Sequence, residues 1–256
     1  MRERERESSS NKKKVIWALY DDAFSSYKKA IKQHFDGKFK VYSIGINNIK
    51  FKEKKNYFYR RIDLSLSNFN LISQLNKLPK PDIILASPPC ESWSGADCDG
   101  RMFRSINENG EWIIKNSKYY DEYNKRCHKV KTRHFLQKET SRIIGESTIG
   151  GTIKIIQHFK PKVWVIENPK TSKTWDFQKY HWNFNGYKNS TYYSSYDSSF
   201  SSKPTIFKSN IKLDLKNFKN NKGNKDHMAR GSYSKRSSIP EKLIKDMITQ
   251  IIVFCK

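Results

Sequence analysis

Two stretches decide how this chain folds: PDIILASPPCESWS at residues 81–94 and PKVWVIENP at residues 161–169. In each, a proline precedes a short unbroken apolar run, and the run leaves through a polar, proline-bearing motif. Asp82 to Ser87 and Lys162 to Ile166 therefore read as buried strands, because a strand covered on both faces is continuously apolar rather than alternating. Their exits, Pro88-Pro89-Cys90 and Glu167-Asn168-Pro169, carry the residues with chemistry.

Working outward, Val15 to Tyr20 (VIWALY) is another buried-strand run, ending at Asp21-Asp22. Tyr27, Ala30, Ile31, His34 and Phe35 follow at helical spacing, with Ser25 or Ser26 able to cap the helix. Lys40 to Ile46 is a strand candidate. Phe69, Leu71, Ile72, Leu75 and Leu78 form a helical face stopped by Pro79 and Pro81. Ile149, Ile153 and Ile156 share a face of a helix ending near Phe159, and Ile206-Phe207 lie in a further strand. Leu243, Ile244, Met247, Ile248, Ile251 and Ile252 mark a last helix, with Pro240 near its start. Strands alternating with helices predict an α/β, Rossmann-like sheet with helices on both faces. In such sheets ligands bind at the carboxyl ends of strands, so the three polar exits are expected on one edge.

The 256 residues carry 50 Lys+Arg against 25 Asp+Glu, a formal charge of +25. A polyanionic partner is the direct reading, and nucleic acid is its commonest form. A compositional bias toward Lys, Asn, Ile and Ser would also raise the charge. No apolar run is long enough to span a membrane, so no membrane association is expected. The N-terminus MRERERESSSNKKK lacks the apolar core of a secretory signal, and residues 1–14 read as a solvated acidic and basic tail. With four cysteines no disulfide framework is expected, and a cytoplasmic setting follows. The absence of a GxxxxGK[ST] loop argues against the usual nucleotide triphosphatase.

Cys90 leaves its strand behind two prolines, on backbone of fixed φ. A free thiol titrates near about 8.5 and needs electropositive help to react as a thiolate at neutral pH; the alternative is a buried, inert cysteine. Glu167 ends an apolar run, where a carboxylate is costly without a partner or a task. It is either bonded to backbone amides or paired with Cys90 for covalent catalysis with acid assistance. Cys90, Cys98, Cys127, His128 and His134 lack a C-x-x-C unit, and no metal site is expected.

Residues 95–137 interrupt the α/β rhythm. They interleave Arg101, Arg104, Lys129 and Arg133 with Trp112, Tyr119 and Tyr120. Such a mixture suits phosphate contact and base stacking, and a basic surface loop is the alternative.

The two motifs, in this order and each at a strand end, resemble the DNA (cytosine-5) methyltransferases, in particular short phage- and plasmid-type members. The resemblance spans residues 15–256 and is strongest at 81–94 and 161–169. It implies one methyltransferase domain over 15–256, S-adenosylmethionine as cofactor, and double-stranded DNA with a target cytosine as partner. Cys90 would attack C6 of a flipped cytosine, Glu167 would engage N3, and C5 would take the methyl group. Tyr20, Asp21, Asp22 and Phe24 correspond to the cofactor loop, Asp63 to an acidic residue near the adenine, and Pro88 to a proline of the cofactor site. Pro89, Ser92 and Ser94, on either side of the cysteine, would face the DNA substrate. Asn168 and Pro169 would shape the turn presenting Glu167, and Lys203 and Thr205 stand where the family carries Arg-x-Arg near the base.

Two departures matter. The cofactor loop, LYDDAFSS at 19–26, has no glycine, and the acidic residue after the second strand is replaced by Gly45 or Asn47. The chain also lacks room for a large recognition region after Lys203, so 95–137 is the candidate DNA-contacting insertion. The alternatives are a cofactor-deficient DNA-binding relative, or a related enzyme acting on RNA or transferring another group. A monomer is expected, in a bacterial host or encoded by a phage or plasmid, and a companion restriction endonuclease is a partner the resemblance allows.

Overall fold

The computed structural model describes residues 13–21, 25–49, 53–93, 104–106, 112–126, 132–220, 222–224 and 236–255. In chain order the elements are β1 (Lys14–Leu19), α1 (Ser26–Phe35), β2 (Phe39–Gly45), β3 (Tyr57–Arg61), α2 (Leu71–Leu75), β4 (Ile83–Ala86), β5 (Arg104–Ile106), β6 (Trp112–Ile114), α3 (Ser117–Arg126), α4 (Phe135–Phe159), β7 (Val163–Pro169), α5 (Thr174–Asp176), β8 (Tyr187–Tyr192), β9 (Pro204–Ser209) and α6 (Glu241–Phe254). A π-helical turn, Phe177–His181, continues α5, and a 3-10 turn, Tyr193–Ser195, continues β8.

Seven strands form one sheet in the order β3-β2-β1-β4-β7-β9-β8. Neighbours from β3 through β7 pair parallel, whereas β9 runs antiparallel to both β7 and β8. This is a Rossmann-like α/β fold. The strand order reverses between β1 and β4, and the crevice at that switch point opens at the strands' carboxyl ends. The reversal of β9 brings its first residues to the same edge, while β8 delivers its last residue there.

Successive side chains of a strand point to opposite faces, and β1 divides its apolar residues accordingly. Ile16 and Ala18 join Tyr27, Ala30 and Ile31 of α1 and Leu243, Ile244, Met247 and Ile248 of α6 in one core. Val15, Trp17 and Leu19 join Ile149, Ile153 and Ile156 of α4 and Leu71 and Leu75 of α2 in the other. Two buried faces explain why the strand runs are continuously apolar.

Several sequence expectations change. β1 begins at Lys14, which lies inside the sheet rather than in the tail; residues 1–12 lie outside the described set. The expected helix around 69–78 contracts to Leu71–Leu75, and Phe69 is 96% exposed. Ser25 does not cap α1: its side chain makes no cap bond, and the Asp21 carboxylate accepts from the Tyr27 and Lys28 amides instead, at 3.2 Å each. α4 starts at Phe135, so the end of the 95–137 stretch is helical. Its other described residues include the antiparallel β5–β6 pair and α3. Strand β8, YKNSTY, carried no apolar signal. Among the described residues no helix is long and apolar enough to cross a membrane.

Candidate active site

A cleft of about 1670 Å³ opens at the carboxyl ends of β1, β2, β4 and β7. Cys90, Glu167 and Lys203 line it together with Asp63, Pro88 and Pro89. Adjacent strands explain the meeting of the first two. β4 and β7 pair from Ile83 with Val163 to Ala86 with Ile166, so Glu167 emerges one residue past that register. Its strand does not end there. Glu167, Asn168 and Pro169 continue in β7 against Phe207, Ile206 and Thr205 of β9.

Asn168 and Pro169 therefore form no turn. Asn168 is fully buried, and its amide donates to the Pro88 carbonyl at 3.0 Å. Pro88 and Pro89 lack N–H groups and cannot extend a ladder, so this side-chain bond holds the cysteine loop against the glutamate strand. The next turn of that loop closes with the Trp93 amide donating to the Cys90 carbonyl at 3.0 Å. Ser92 and Trp93 pack under it against Gly145 of α4, where an added Cβ would lie 2.1 Å from the Ser92 Oγ. Ser92 is thus buried against the helix rather than facing substrate.

Charge around the thiol is uneven. Burial pushes Cys90 up to about 11; Lys203 works against this, and Glu167 and Glu91 add to it. The Lys203 ammonium lies 3.6 Å from the Glu167 Oε1 and 5.0 Å from the centre of the Tyr193 ring. The Tyr193 hydroxyl donates to the same Oε1 at 3.0 Å. Burial, then the charge of Glu167, holds both the Tyr193 and Tyr27 phenols well above their usual range. Tyr27 exchanges a 2.8 Å hydrogen bond with Ser87, at the exit of β4. Thr205 is fully buried, its hydroxyl donating to the Lys203 carbonyl at 3.4 Å, and does not line the cleft.

On the β1 side the loop without glycine still adopts glycine-like backbone. Tyr20 has φ 62° and Ser25 φ 53°, a left-handed conformation that L-residues adopt at a cost. Tyr20 is anchored there because its hydroxyl is bonded to the Thr148 carbonyl (2.8 Å) and Thr152 (3.1 Å) on α4. Its phenol is turned into the fold. The Asp21 carboxylate is likewise engaged inside, accepting from Ser43 at 2.9 Å as well as from the α1 amides; burial pushes it up to about 6. Asp63 takes the Ser65 amide at 2.9 Å at the mouth of the cleft. The loop carrying it packs against Gly151, where a Cβ would lie 1.9 Å from the Leu64 carbonyl oxygen.

No family model matches the chain, and no curated protein is significantly similar to it. Among solved structures, a ribosomal RNA methyltransferase from Plasmodium falciparum is similar over 82% of this chain and 93% of that one, at 13% identity and a TM-score of 0.39.

Of the residues expected at the site, Tyr20, Asp21, Asp63, Pro88, Pro89, Cys90, Glu167, Pro169 and Lys203 line the cleft. Tyr20 and Asp21 do so with their polar atoms engaged elsewhere. Asp22, Phe24, Ser94, Arg101 and Lys129 lie outside the described residues, as do Cys98, Cys127 and His128. Arg104 is in β5; Arg133 is half-buried, its backbone bonded to Asn124 of α3, and does not line the cleft. Among the described residues no cluster of three or more His, Cys, Asp or Glu could hold a metal ion.

Sequence reasoning missed Tyr193, Tyr27 as a polar site residue, and the Arg236–Ile239 segment lining the cleft before α6. The Ile239 amide donates to Ser26 at 3.2 Å, which stitches that segment to the start of α1. Pro240 signalled the helix but not the segment before it. Tyr193 sits in a polar tyrosine- and serine-rich run with no local sign of its task.

Proposed function

We propose that this chain is an S-adenosylmethionine-dependent DNA (cytosine-5) methyltransferase. The observation that carries the reading is the convergence of a thiol and a carboxyl group, Cys90 and Glu167, from neighbouring strand ends into one cleft, with Lys203 beside both. Covalent activation of a pyrimidine needs a sulfur below the ring and a proton donor in its plane. The charge of +25 suits a polyanionic substrate.

The β1 side of the cleft fits the cofactor. Tyr20 and Ser25 hold the backbone conformation that glycines usually supply. Ile46, Leu64 and Ile144 give apolar walls next to Asp63, which is suited to a purine and a ribose. S-adenosylmethionine, when bound, supplies an electrophilic methyl group. Asp21, with its carboxylate committed to α1 and Ser43, acts by shaping this loop.

The chain's own residues do the rest. Cys90 gives its proton to solvent, and Lys203 is the cation that favours the thiolate. As the sulfur bonds to C6, the ring electrons shift toward C5 and N3 takes a proton from Glu167. Carbon 5 is then nucleophilic. When water takes the C5 proton, the C6–S electron pair returns to Cys90, the ring double bond reforms, and N3 returns its proton to Glu167. Reaching a paired base requires extrusion from the duplex, and residues 95–137 are proposed to grip the flanking phosphates.

The test is covalent trapping on DNA containing 5-fluorocytosine. Wild type with cofactor should form an adduct and Cys90→Ser should not; an adduct with Cys90→Ser overturns the assignment. Labelled methyl transfer to DNA and RNA decides the polymer, and transfer to RNA alone overturns DNA. No calorimetric binding at millimolar cofactor would mark a DNA-binding relative. Deleting residues 100–130 from a chain that still folds should weaken DNA binding and flatten its salt dependence.

A further inference from the structure

We propose that Tyr193 is a positioning residue that, with Lys203, decides which oxygen of Glu167 carries the proton delivered to the base. This rests on the cytosine reading above.

The two groups converge on one atom. The Tyr193 hydroxyl donates to Oε1 of Glu167 at 3.0 Å, and the Lys203 ammonium lies 3.6 Å from that same oxygen. Among the described residues no hydrogen-bond partner reaches Oε2. A protonated carboxyl has one hydroxyl oxygen and one acceptor oxygen. A proton on Oε1 would confront a hydroxyl donor and a cation together. The arrangement therefore assigns Oε1 as the permanent acceptor and Oε2 as the oxygen that carries the proton to N3.

Tyr193 is built for a fixed direction. It is fully buried in the 3-10 turn that follows β8. Its hydroxyl donates to Glu167, so the phenolic proton is directed at the carboxyl. The high titration range of the phenol keeps that proton in place at any working pH. Lys203 alone would not fix the carboxyl, because an ammonium is a rotatable point charge without the directionality of a hydroxyl. Its position over the Tyr193 ring, 5.0 Å from the centre, makes the tyrosine the organiser of both contacts. Without the hydroxyl the carboxyl is free to turn and share both oxygens with Lys203, which lowers the fraction poised to protonate a base.

The experiment uses the full chain and the variant Tyr193→Phe, which keeps the ring, its packing and its contact with Lys203. The first readout needs no turnover: the infrared difference between wild type and Glu167→Gln isolates the carboxyl bands of Glu167. Those bands should shift in Tyr193→Phe, and unshifted bands overturn the proposal. The second is steady-state methyl transfer. Loss of a hydrogen bond to a charged group predicts a kcat lower by about 10- to 100-fold, with KM for DNA and cofactor within about twofold. An unchanged kcat, or a change confined to KM, overturns the oxygen assignment. Failure of the underlying reading looks different: wild type does not methylate cytosine, or Glu167→Gln retains full activity. The infrared result still decides whether Tyr193 holds the carboxyl.

Discussion

The side-chain amide of Asn168 donates to the backbone carbonyl of Pro88 at 3.0 Å, joining the strand that carries Glu167 to the loop that carries Cys90. Parallel β4–β7 pairing stops at Ala86 and Ile166. Beyond it, this buried bond ties the cysteine loop to the glutamate strand, and the Lys173 amide on the Trp93 carbonyl at 3.0 Å ties the loop a second time. Replacing Asn168 with Ala leaves the Pro88 carbonyl unpaired, which costs about 1–3 kcal/mol. The urea midpoint should fall, and trapping on 5-fluorocytosine DNA should slow about tenfold or more. Wild-type values for both would remove the clamp from the account.

Lys203 is the cation that opposes the burial of the Cys90 thiol, which lies up at about 11. The thiolate fraction, and with it alkylation of Cys90 by iodoacetamide, should rise with pH from 7 toward 10. Lys203→Met removes the stabilising charge, so alkylation at pH 8 should be slower than in wild type. Peptide mapping by mass spectrometry separates Cys90 from the other cysteines. An equal or faster rate in the variant contradicts this role.

Asp21 titrates near about 6 in the fold, against an ordinary value of 3.8, because it is buried. Between those values the native chain holds a proton that the unfolded chain releases, so this residue's contribution to stability falls as pH rises from about 4 to about 6. Urea unfolding of wild type and Asp21→Asn across pH 4–7 checks it. The stability difference, wild type minus variant, should decline through that window by roughly 2–3 kcal/mol and then level off. A flat difference would show that the carboxylate is charged in the fold throughout.

Gly151 lies inside α4, where Ala would ordinarily be the better helix former by up to about 1 kcal/mol. Here a Cβ would meet the Leu64 carbonyl oxygen at 1.9 Å. Gly151→Ala should therefore destabilise the chain, by about 1–3 kcal/mol, and displace the Asp63–Leu64 loop. Calorimetry should show weaker cofactor binding than wild type. A stabilised variant with unchanged affinity would show that the loop moves aside at no cost.

The sheet was legible because its central strands are covered on both faces. VIWAL, IILA and VWVI cannot be anything but buried, and their positions match β1, β4 and β7. The edge was not legible. The buried residues of β8, Asn189 and Thr191, are polar too, so YKNSTY carries neither an apolar run nor clean alternation. Phe69 misled for the converse reason: helical spacing says which residues could share a face, not that the helix extends to present it. The capping of α1 escaped because its acceptor, Asp21, lies several residues before the helix across a loop, not at the adjacent serine.

For the site, the sequence alone determined that Cys90 and Glu167 each leave a buried strand, since hydrophobic run and polar exit are local features. Only the tertiary structure decided what surrounds the carboxylate. Tyr193 is 26 residues from Glu167 and reaches it because β8 ends at the edge where β7 delivers the glutamate. Lys203 arrives there because β9 runs the opposite way. Strand direction and neighbour order are set by which surfaces bury one another. They are long-range outcomes of packing, which no local pattern of residues encodes.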